Sequence, residues 1–533
     1  MKPTRRQILK MGLGATQLGL LARYGLTPKR AWASQSPPTK LLTIYMAGGW
    51  MPAYFFCPLS DAQVQSYIPA PDFWPGSRGE PLFYGPEHVP NLDGTGRAID
   101  EDDPRFERLR IVQRWDEASL SQGQPDSYDG TAPHGWAWKE YGLHENTCAV
   151  HGIDQGTAAH FSGKISAMCG AAGSVYRAPA MHCVVANALY DRFAQSRPLG
   201  AVALGAAPVP IPLGLPPQAS PVRMQSLDTL AYTLSERQDG AWAGLRGRQA
   251  RPAVNYEGVV LPKTLETNPM DDYVMRRIRR LRGTTNRGTD AFYSGLHDMV
   301  STVSDQLAKD VVSSLEATPG WEHLPHPHWV PSNWTPFGAD IGRGGVASDS
   351  GTTWNDSFQL SLKLLKSDLC SAVSLDCRGL NNYFFDSHGD GHPIQFLQVR
   401  AAMDVVGRLL GEMKNTPIGA GRSLLDDTQV VIMSEFARTW PNSNNCDHWP
   451  ITSVAFVGGG THGNRQVGNY DFTGQARTTN GPNGAAIDLI DEGGDHTSRP
   501  PRSADVAHTV YNLMGISDFF IPGGSAEIVG VRS

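Results

Sequence analysis

The run Phe384-Phe385-Asp386-Ser387-His388-Gly389-Asp390-Gly391-His392 places two imidazoles and two carboxylates within seven positions. Imidazole nitrogen and carboxylate oxygen are the donors that Zn²⁺ or Mn²⁺ takes when no thiolate is present. Asp386, His388 and His392 are therefore candidate metal ligands, the alternative being a polar loop whose His and Asp side chains only hydrogen-bond one another. A second block reads Ser434-Glu435-Phe436-Ala437-Arg438-Thr439 and, after a short polar loop, Cys446-Asp447-His448-Trp449-Pro450. Glu435 stands where the end of a strand would aim a carboxylate into a crevice. Asp447 and His448 supply two further ligands, or Asp447 orients a ligand histidine from behind. Arg438 reads either as a salt-bridge partner of Glu435 or as a bidentate clamp for phosphate or sulfate.

A third block, Asp154-Gln155-Gly156-Thr157-Ala158-Ala159-His160-Phe161-Ser162, leads from an apolar run into a helical pattern. A helix N-terminus offers unpaired N–H groups and a positive dipole end, which favour an anionic substrate or an alkoxide. Thr157 is the hydroxyl at that start, as nucleophile or as plain N-cap, with His160 next to it and Ser162 about a turn later.

Something must hold these blocks together. Short apolar runs at 41–46, 148–153, 372–376, 429–433 and 453–457 read as buried strands of a parallel sheet, with helical patterns at 159–168, 358–369, 396–413 and 503–514. Strands alternating with helices predict an open α/β sheet, whose sites lie beyond the strands' C-terminal ends. Residues 58–145, rich in Pro, Gly, Asp and Trp, read as a loop-rich insertion. Residues 205–335 read as a second insertion, Pro-rich and then helical, with an arginine run over 271–282 that reads as a solvated helix face or as an anion-binding patch. Residues 458–502 read as loop.

The chain has 533 residues, 40% of them hydrophobic and only 18% charged, with 57 Gly and 39 Pro. That supports a large core carrying long ordered loops and excludes disorder, coiled coil and helical repeat. The first 33 residues read as an export signal: Thr4-Arg5-Arg6-Gln7-Ile8-Leu9-Lys10, an apolar stretch interrupted by Gln17, and Ala31-Trp32-Ala33 as cleavage site. The paired arginines point to the twin-arginine translocase, and so to a periplasmic or extracellular destination. The signal holds seven of the 46 Lys/Arg and no acid, so 39 basic residues face 52 acidic ones over positions 34–533, a net charge of -13. Nucleic acid is not the expected partner of such a chain. No later run is long enough to span a membrane. Seven cysteines without a CxxC pair argue against a thiolate zinc site, and an odd number leaves at least one thiol unpaired within the chain.

The arginine-pair leader, the Met46-Ala47-Gly48-Gly49-Trp50 turn, the His160-Phe161 helix start and the Asp386-Ser387-His388 turn together resemble a family of secreted bacterial proteins. So do the 434–450 block and the late run Ser503-Ala504-Asp505-Val506-Ala507-His508. The family is the one catalogued as domain of unknown function 1501, related to the alkaline phosphatase and sulfatase superfamily. The resemblance implies a doubly wound, mostly parallel sheet with helices on both faces and a bimetal site at the strand ends, filled by divalent metal (Zn, Mn or Ca). It implies Asp386 with His388 or His392 at one metal, Glu435 where the superfamily often has Asp, His448 as a later metal histidine, and Thr157 or Ser162 near the nucleophile position. Three features depart from the superfamily pattern. No carboxylate follows the Gly48-Gly49 turn, and Glu435-Phe436 replaces Asp-His; the sulfatase Cys-x-Pro-Ser-Arg signature is also absent. The expected function is an exported metal-dependent hydrolase of small or polymeric anionic phosphate or sulfate esters, with either the full bimetal site or, since two ligands of it are missing, a reduced one. The alternative is an exported binding or structural protein that keeps the fold without turnover.

Overall fold

A computed structural model describes residues 36–59, 83–84, 106–112, 138, 141–171, 178–193, 196–197, 199–204, 219, 221–224, 318, 354–377, 385–388, 392–440, 446–472, 482–517, 519 and 521–533. The central sheet is built from β1 (Lys40–Tyr45), β2 (Thr147–Asp154), β3 (Ala201–Leu204), β4 (Val222–Met224), β5 (Ala372–Asp376) and β6 (Thr428–Met433). After β6 a two-stranded ribbon, β7 (Ala437–Arg438) and β8 (His448–Trp449), leads into β9 (Ile451–Gly458) and then β10 (Arg465–Val467). The order across the sheet is β10-β2-β9-β6-β1-β5-β3-β4. β9 runs antiparallel to β2 and β6, and the remaining neighbours pair parallel. The architecture is thus α/β with a mixed, mostly parallel sheet.

The five strands expected from the apolar runs are all present. The fifth differs in direction: β9 was expected to be parallel and is not. A parallel return needs a crossover of a dozen or more residues, usually a helix, and here the chain between β6 and β9 folds into the β7–β8 ribbon instead. The sequence reading also passed over β3, β4, β10 and the helix Met181–Phe193. It read 458–502 as loop, where the structure has β10 and the strands Ile487–Asp491 and His496–Arg499.

Both faces of the sheet are covered, which is why its strands read as unbroken apolar runs rather than alternating ones. In β1, Leu42 and Ile44 face one core while Leu41 and Tyr45 face the other. On the first side pack α3 (Trp354–Lys366) and α4 (His392–Asn415) through Phe358, Leu362, Met403 and Leu410. On the second pack α1 (His160–Cys169), α2 (Met181–Phe193) and α5 (Ser503–Leu513) through Met168, Val185 and Val510. Each fully buried Leu, Ile or Val contributes about 1.5–3 kcal/mol, so these layers rather than any single bond fix where the loops emerge.

Part of the 58–145 insertion is anchored in that core. Trp138 packs edge-on against Phe55 and Phe56, and its indole N–H donates to the Met403 carbonyl at 2.7 Å. The 271–282 arginine run and most of the second insertion lie outside the described residues. All seven cysteines are buried. Among the described residues no helix is long and apolar enough to cross a membrane.

Candidate functional site

β1, β2, β5 and β6 point the same way, so the loops leaving their C-terminal ends share one edge of the sheet. The β1 loop turns through Gly48 and Gly49, at φ 114° and 82°. This is left-handed backbone that suits glycine, and a Cβ on Gly48 would collide with the backbone of Phe385 and Asp386. The turn therefore lets the β5 loop, with Asp386, lie directly against it. On the other face, a Cβ on Gly163 of α1 would stand 2.7 Å from the Glu435 carbonyl oxygen. Lacking one, α1 comes close enough for its first residue, His160, to reach Glu435.

Glu435, just beyond β6, is fully buried. Its Oε1 accepts from the Gly48 N–H at 2.8 Å and from His160 Nδ1 at 2.9 Å. Its Oε2 accepts from the Tyr45 hydroxyl at 2.6 Å and lies 2.9 Å from the Ser434 hydroxyl, whose one proton has a shorter acceptor in the Met46 carbonyl at 2.6 Å. Burial pushes its pKa up, but the bonds from His160 and Tyr45 outweigh burial and hold the carboxyl below its ordinary range. An ionised carboxylate only accepts, so His160 must carry its proton on Nδ1. Its Nε2 then faces Asp386 Oδ1 at 3.4 Å.

His448 repeats the arrangement with a different partner. Its Nδ1 lies 2.9 Å from the Ala158 carbonyl oxygen, which fixes the proton there. Its Nε2 is buried, makes no hydrogen bond, and lies 3.5 Å from the same Asp386 oxygen. His388, about half exposed, brings Nε2 to 3.0 Å from Asp386 Oδ1, with Nδ1 3.5 Å from Asp447 Oδ1. The rings of His160 and His448 meet edge to face at 4.5 Å, and Phe436 packs on both.

Arg438 sits beneath Asp386, fully buried. It donates from Nη2 to Asp386 Oδ1 at 2.8 Å, from Nε to Gly49 O at 2.8 Å and from Nη1 to Ser387 O at 2.7 Å. Nη2 also reaches the carbonyls of Phe385 and Gly48. One guanidinium thus ties together the loops after β1, β5 and β6. Burial raises the Asp386 pKa, but the neighbouring His160 and His448 rings and the bond from Arg438 outweigh it and hold the carboxyl far below the usual range. For His160 the balance runs the other way. Burial disfavours its charged form, but Asp386 and Glu435 prevail and its pKa is raised.

The donor set fits a divalent ion. Tetrahedral ligands at about 2.0–2.1 Å from a metal stand about 3.4 Å from one another, and the two imidazole nitrogens lie 3.4 and 3.5 Å from Asp386 Oδ1. His160, Asp386 and His448 form one group of ligand atoms within 4.8 Å of each other; His388, Asp447 and His448 form another. Each of these two histidines has the acceptor on Nδ1 that a metal-bound imidazole ordinarily shows.

The residues singled out from sequence divide accordingly. Asp386, His388, Asp447 and His448 come together. Glu435 joins them at one remove, since both its oxygens are already engaged and its role is to aim His160. Arg438 pairs with Asp386, not with Glu435, and every described N–H contact goes to the chain, so it is not free to clamp an anion. Asp447 Oδ1 accepts from the His448 backbone N–H at 2.8 Å, the Asp447 N–H donates to Thr439 Oγ1 at 3.0 Å and the Asp447 carbonyl accepts from the Thr439 N–H at 2.8 Å, stiffening the β7–β8 ribbon. Thr157 is not the N-cap: the cap is Ala159, whose N–H reaches Thr157 Oγ1 at 3.2 Å. Thr157 and Ser162 share a hydrogen bond of 2.9 Å. His392 opens α4, and its side chain lies outside the described residues. Sequence reasoning did not place His160 among the candidate ligands, and the structure brings its Nε2 to 3.4 Å from Asp386 Oδ1. The signal was present, a histidine at a helix start just beyond a strand. The partners that aim it, Tyr45 and Glu435, lie far away in sequence.

Residues 363–516 match the model of a family described as protein of unknown function (DUF1501). The matched stretch carries Asp386, His388, Glu435, Arg438, Asp447 and His448, and stops short of β1 and His160. No curated protein and no solved structure matches the chain.

Proposed function

We propose that this chain, matched over the segment bearing most of its site to a family of unknown function, is an exported metal-dependent hydrolase of phosphate or sulfate esters. The observation that supports this reading is the convergence of His160 Nε2 and His448 Nε2 on Asp386 Oδ1 at the open edge of the sheet. Two imidazoles and a carboxylate are a three-ligand set that leaves a position open for chemistry, and it suits Zn²⁺ or Mn²⁺ better than Ca²⁺, which takes six to eight oxygens. A divalent ion held by these three residues supplies Lewis acidity, polarising an ester oxygen and acidifying water.

The chain's own residues do the rest. Glu435 and the Ala158 carbonyl keep each imidazole proton on Nδ1 and each Nε2 aimed inward. Arg438 holds Asp386 ionised and in place. His160 is the first residue of α1, so negative charge accumulating beside it meets the positive end of the helix dipole. His388, half exposed at the mouth and backed by Asp447, is the group placed to hand a proton to a departing alcohol. Thr157 and Ser162 are the hydroxyls nearest the helix start.

A second reading, a non-catalytic exported binding protein, is favoured by one observation. Thr157 and Ser162 bond to each other and to local backbone, and no base among the described residues contacts either hydroxyl. One experiment separates the two. Protein purified after export is assayed for metal by elemental mass spectrometry beside His448→Ala. It is then tested on 4-nitrophenyl phosphate, bis(4-nitrophenyl) phosphate and 4-nitrophenyl sulfate before and after chelation. Stoichiometric Zn or Mn, lost in the variant, with chelator-sensitive turnover supports the hydrolase. Metal without turnover of any ester favours the binding protein, and no metal in either sample sinks the hydrolase.

A further inference from the structure

We propose that the centre is built for a single divalent ion, with the Arg438 guanidinium fixed where a second cation would have to neutralise Asp386. The inference rests on the metal reading above and deepens it.

The argument is an accounting of donors. A neutral imidazole has one lone pair to give a metal. His448 has committed Nδ1–H to the Ala158 carbonyl at 2.9 Å, so Nε2 is its one available ligand atom. Both ligand groups at this edge, His160–Asp386–His448 and His388–Asp447–His448, draw on His448. They cannot be filled together. Without His448 the outer group reduces to two exposed side chains, His388 and Asp447.

Glu435 cannot make up the deficit. The Gly48 N–H, His160 Nδ1–H and Tyr45 hydroxyl occupy its two oxygens, and turning either toward an ion would strand the Gly48 N–H or the Tyr45 hydroxyl in the core. Arg438 closes the remaining opening. Its charge cannot be lost by deprotonation, and carbonyls of Gly48, Gly49, Phe385 and Ser387 hold it so that Nη2 stays 2.8 Å from Asp386 Oδ1. Asp386 Oδ1 already accepts the Arg438 bond, so with the inner ion on it that oxygen has no lone pair left for a second ion. The inner group, with two aimed imidazoles and an ionised carboxylate, is therefore the one that fills. Arg438 acts through Asp386 as a positioning residue.

The test titrates the exported full-length mature protein, stripped by chelation, with Zn²⁺ alone. Isothermal calorimetry and native mass spectrometry read the stoichiometry. X-ray absorption on the loaded protein reads the scatterers around zinc. The expected result is a single equivalent, imidazole scattering, and no metal–metal vector at about 3.5–4 Å. A second equivalent with such a vector overturns the inference and leaves the hydrolase reading standing; no bound zinc at all overturns both. The His388→Ala variant leaves every buried contact of the inner group in place and is expected to bind the same single equivalent, with affinity within about tenfold of the parent. Loss of zinc from that variant would put the ion in the outer group and overturn the assignment.

Discussion

At the N-terminal edge of the central sheet, Arg197 gives Nη1 to the Thr39 carbonyl at 2.6 Å, Nη2 to the Thr39 hydroxyl at 2.8 Å and Nε to Asp368 at 2.9 Å. Lys40 bridges Asp368 at 2.8 Å and Asp427 at 3.2 Å. At the C-terminal edge, Arg438 anchors Asp386 just as firmly, yet around that carboxylate stand three imidazoles instead of further fixed cations. Both edges solve the same problem, satisfying buried charge where strands begin or end. The first does it with groups whose donors and acceptors cancel, which leaves nothing for a ligand. The second uses rings that give one nitrogen to the scaffold and turn the other toward a common point. Closing a network is a structural act; leaving inward-facing nitrogens is what makes a site.

That contrast can be broken most directly by truncating one imidazole. His160→Ala or His448→Ala should abolish stoichiometric metal, an affinity loss of about 100-fold or more, read by calorimetry. Arg197→Ala should leave metal content untouched. It should instead lower stability by roughly 2–3 kcal/mol, because breaking a buried pair strands its partners while Asp368 is partly rescued by solvent; a denaturant midpoint shows this. If Arg197→Ala lost the metal, the two edges would not be independent.

Asp386→Asn joins both kinds of loss, since it removes a ligand and leaves the Arg438 charge buried without its counter-ion. A cost of about 3 kcal/mol with loss of metal is expected, measured by chemical denaturation with and without zinc. A milder change, Glu435→Gln, keeps the shape but weakens the bond that aims His160, so affinity should fall about 10- to 100-fold while the fold persists. An unchanged zinc affinity would show that Glu435 does not orient the ligand.

Acidity sharpens the comparison with the smallest perturbation. His160 has a pKa raised above the ordinary 6.5. In metal-free protein its charged form therefore contributes stability that is fully present below 6.5 and is lost as pH rises through the raised value. A metal needs the neutral ring, so zinc affinity should move oppositely and begin to weaken above pH 6.5 on acidification. The N-terminal network contains no histidine, and thermal unfolding of His160→Ala should be flatter over about pH 6–8 than that of the parent.

Much of this was legible in the chain. Apolar runs rich in β-branched residues located β1, β2, β5, β6 and β9, because a strand covered on both faces must be apolar throughout. The clustering of Asp386 with His388, and of Asp447 with His448, marked the loops that matter, because ligand chemistry is written in residue type. Direction and pairing were not written there. Whether β9 returns parallel or antiparallel depends on how the β7–β8 ribbon folds. Whether Arg438 meets Glu435 or Asp386 depends on which loops cross at the Gly48-Gly49 turn.

The sequence by itself determined the element types and the stock of donors, since both follow from local composition. Only the tertiary structure decided that Tyr45 and Glu435 stand behind His160, that the Ala158 carbonyl stands behind His448, and that both rings therefore face Asp386. Hydrogen bonds between residues up to 390 positions apart fix those orientations. A bond of that span exists only once the sheet has brought its strand ends to one edge.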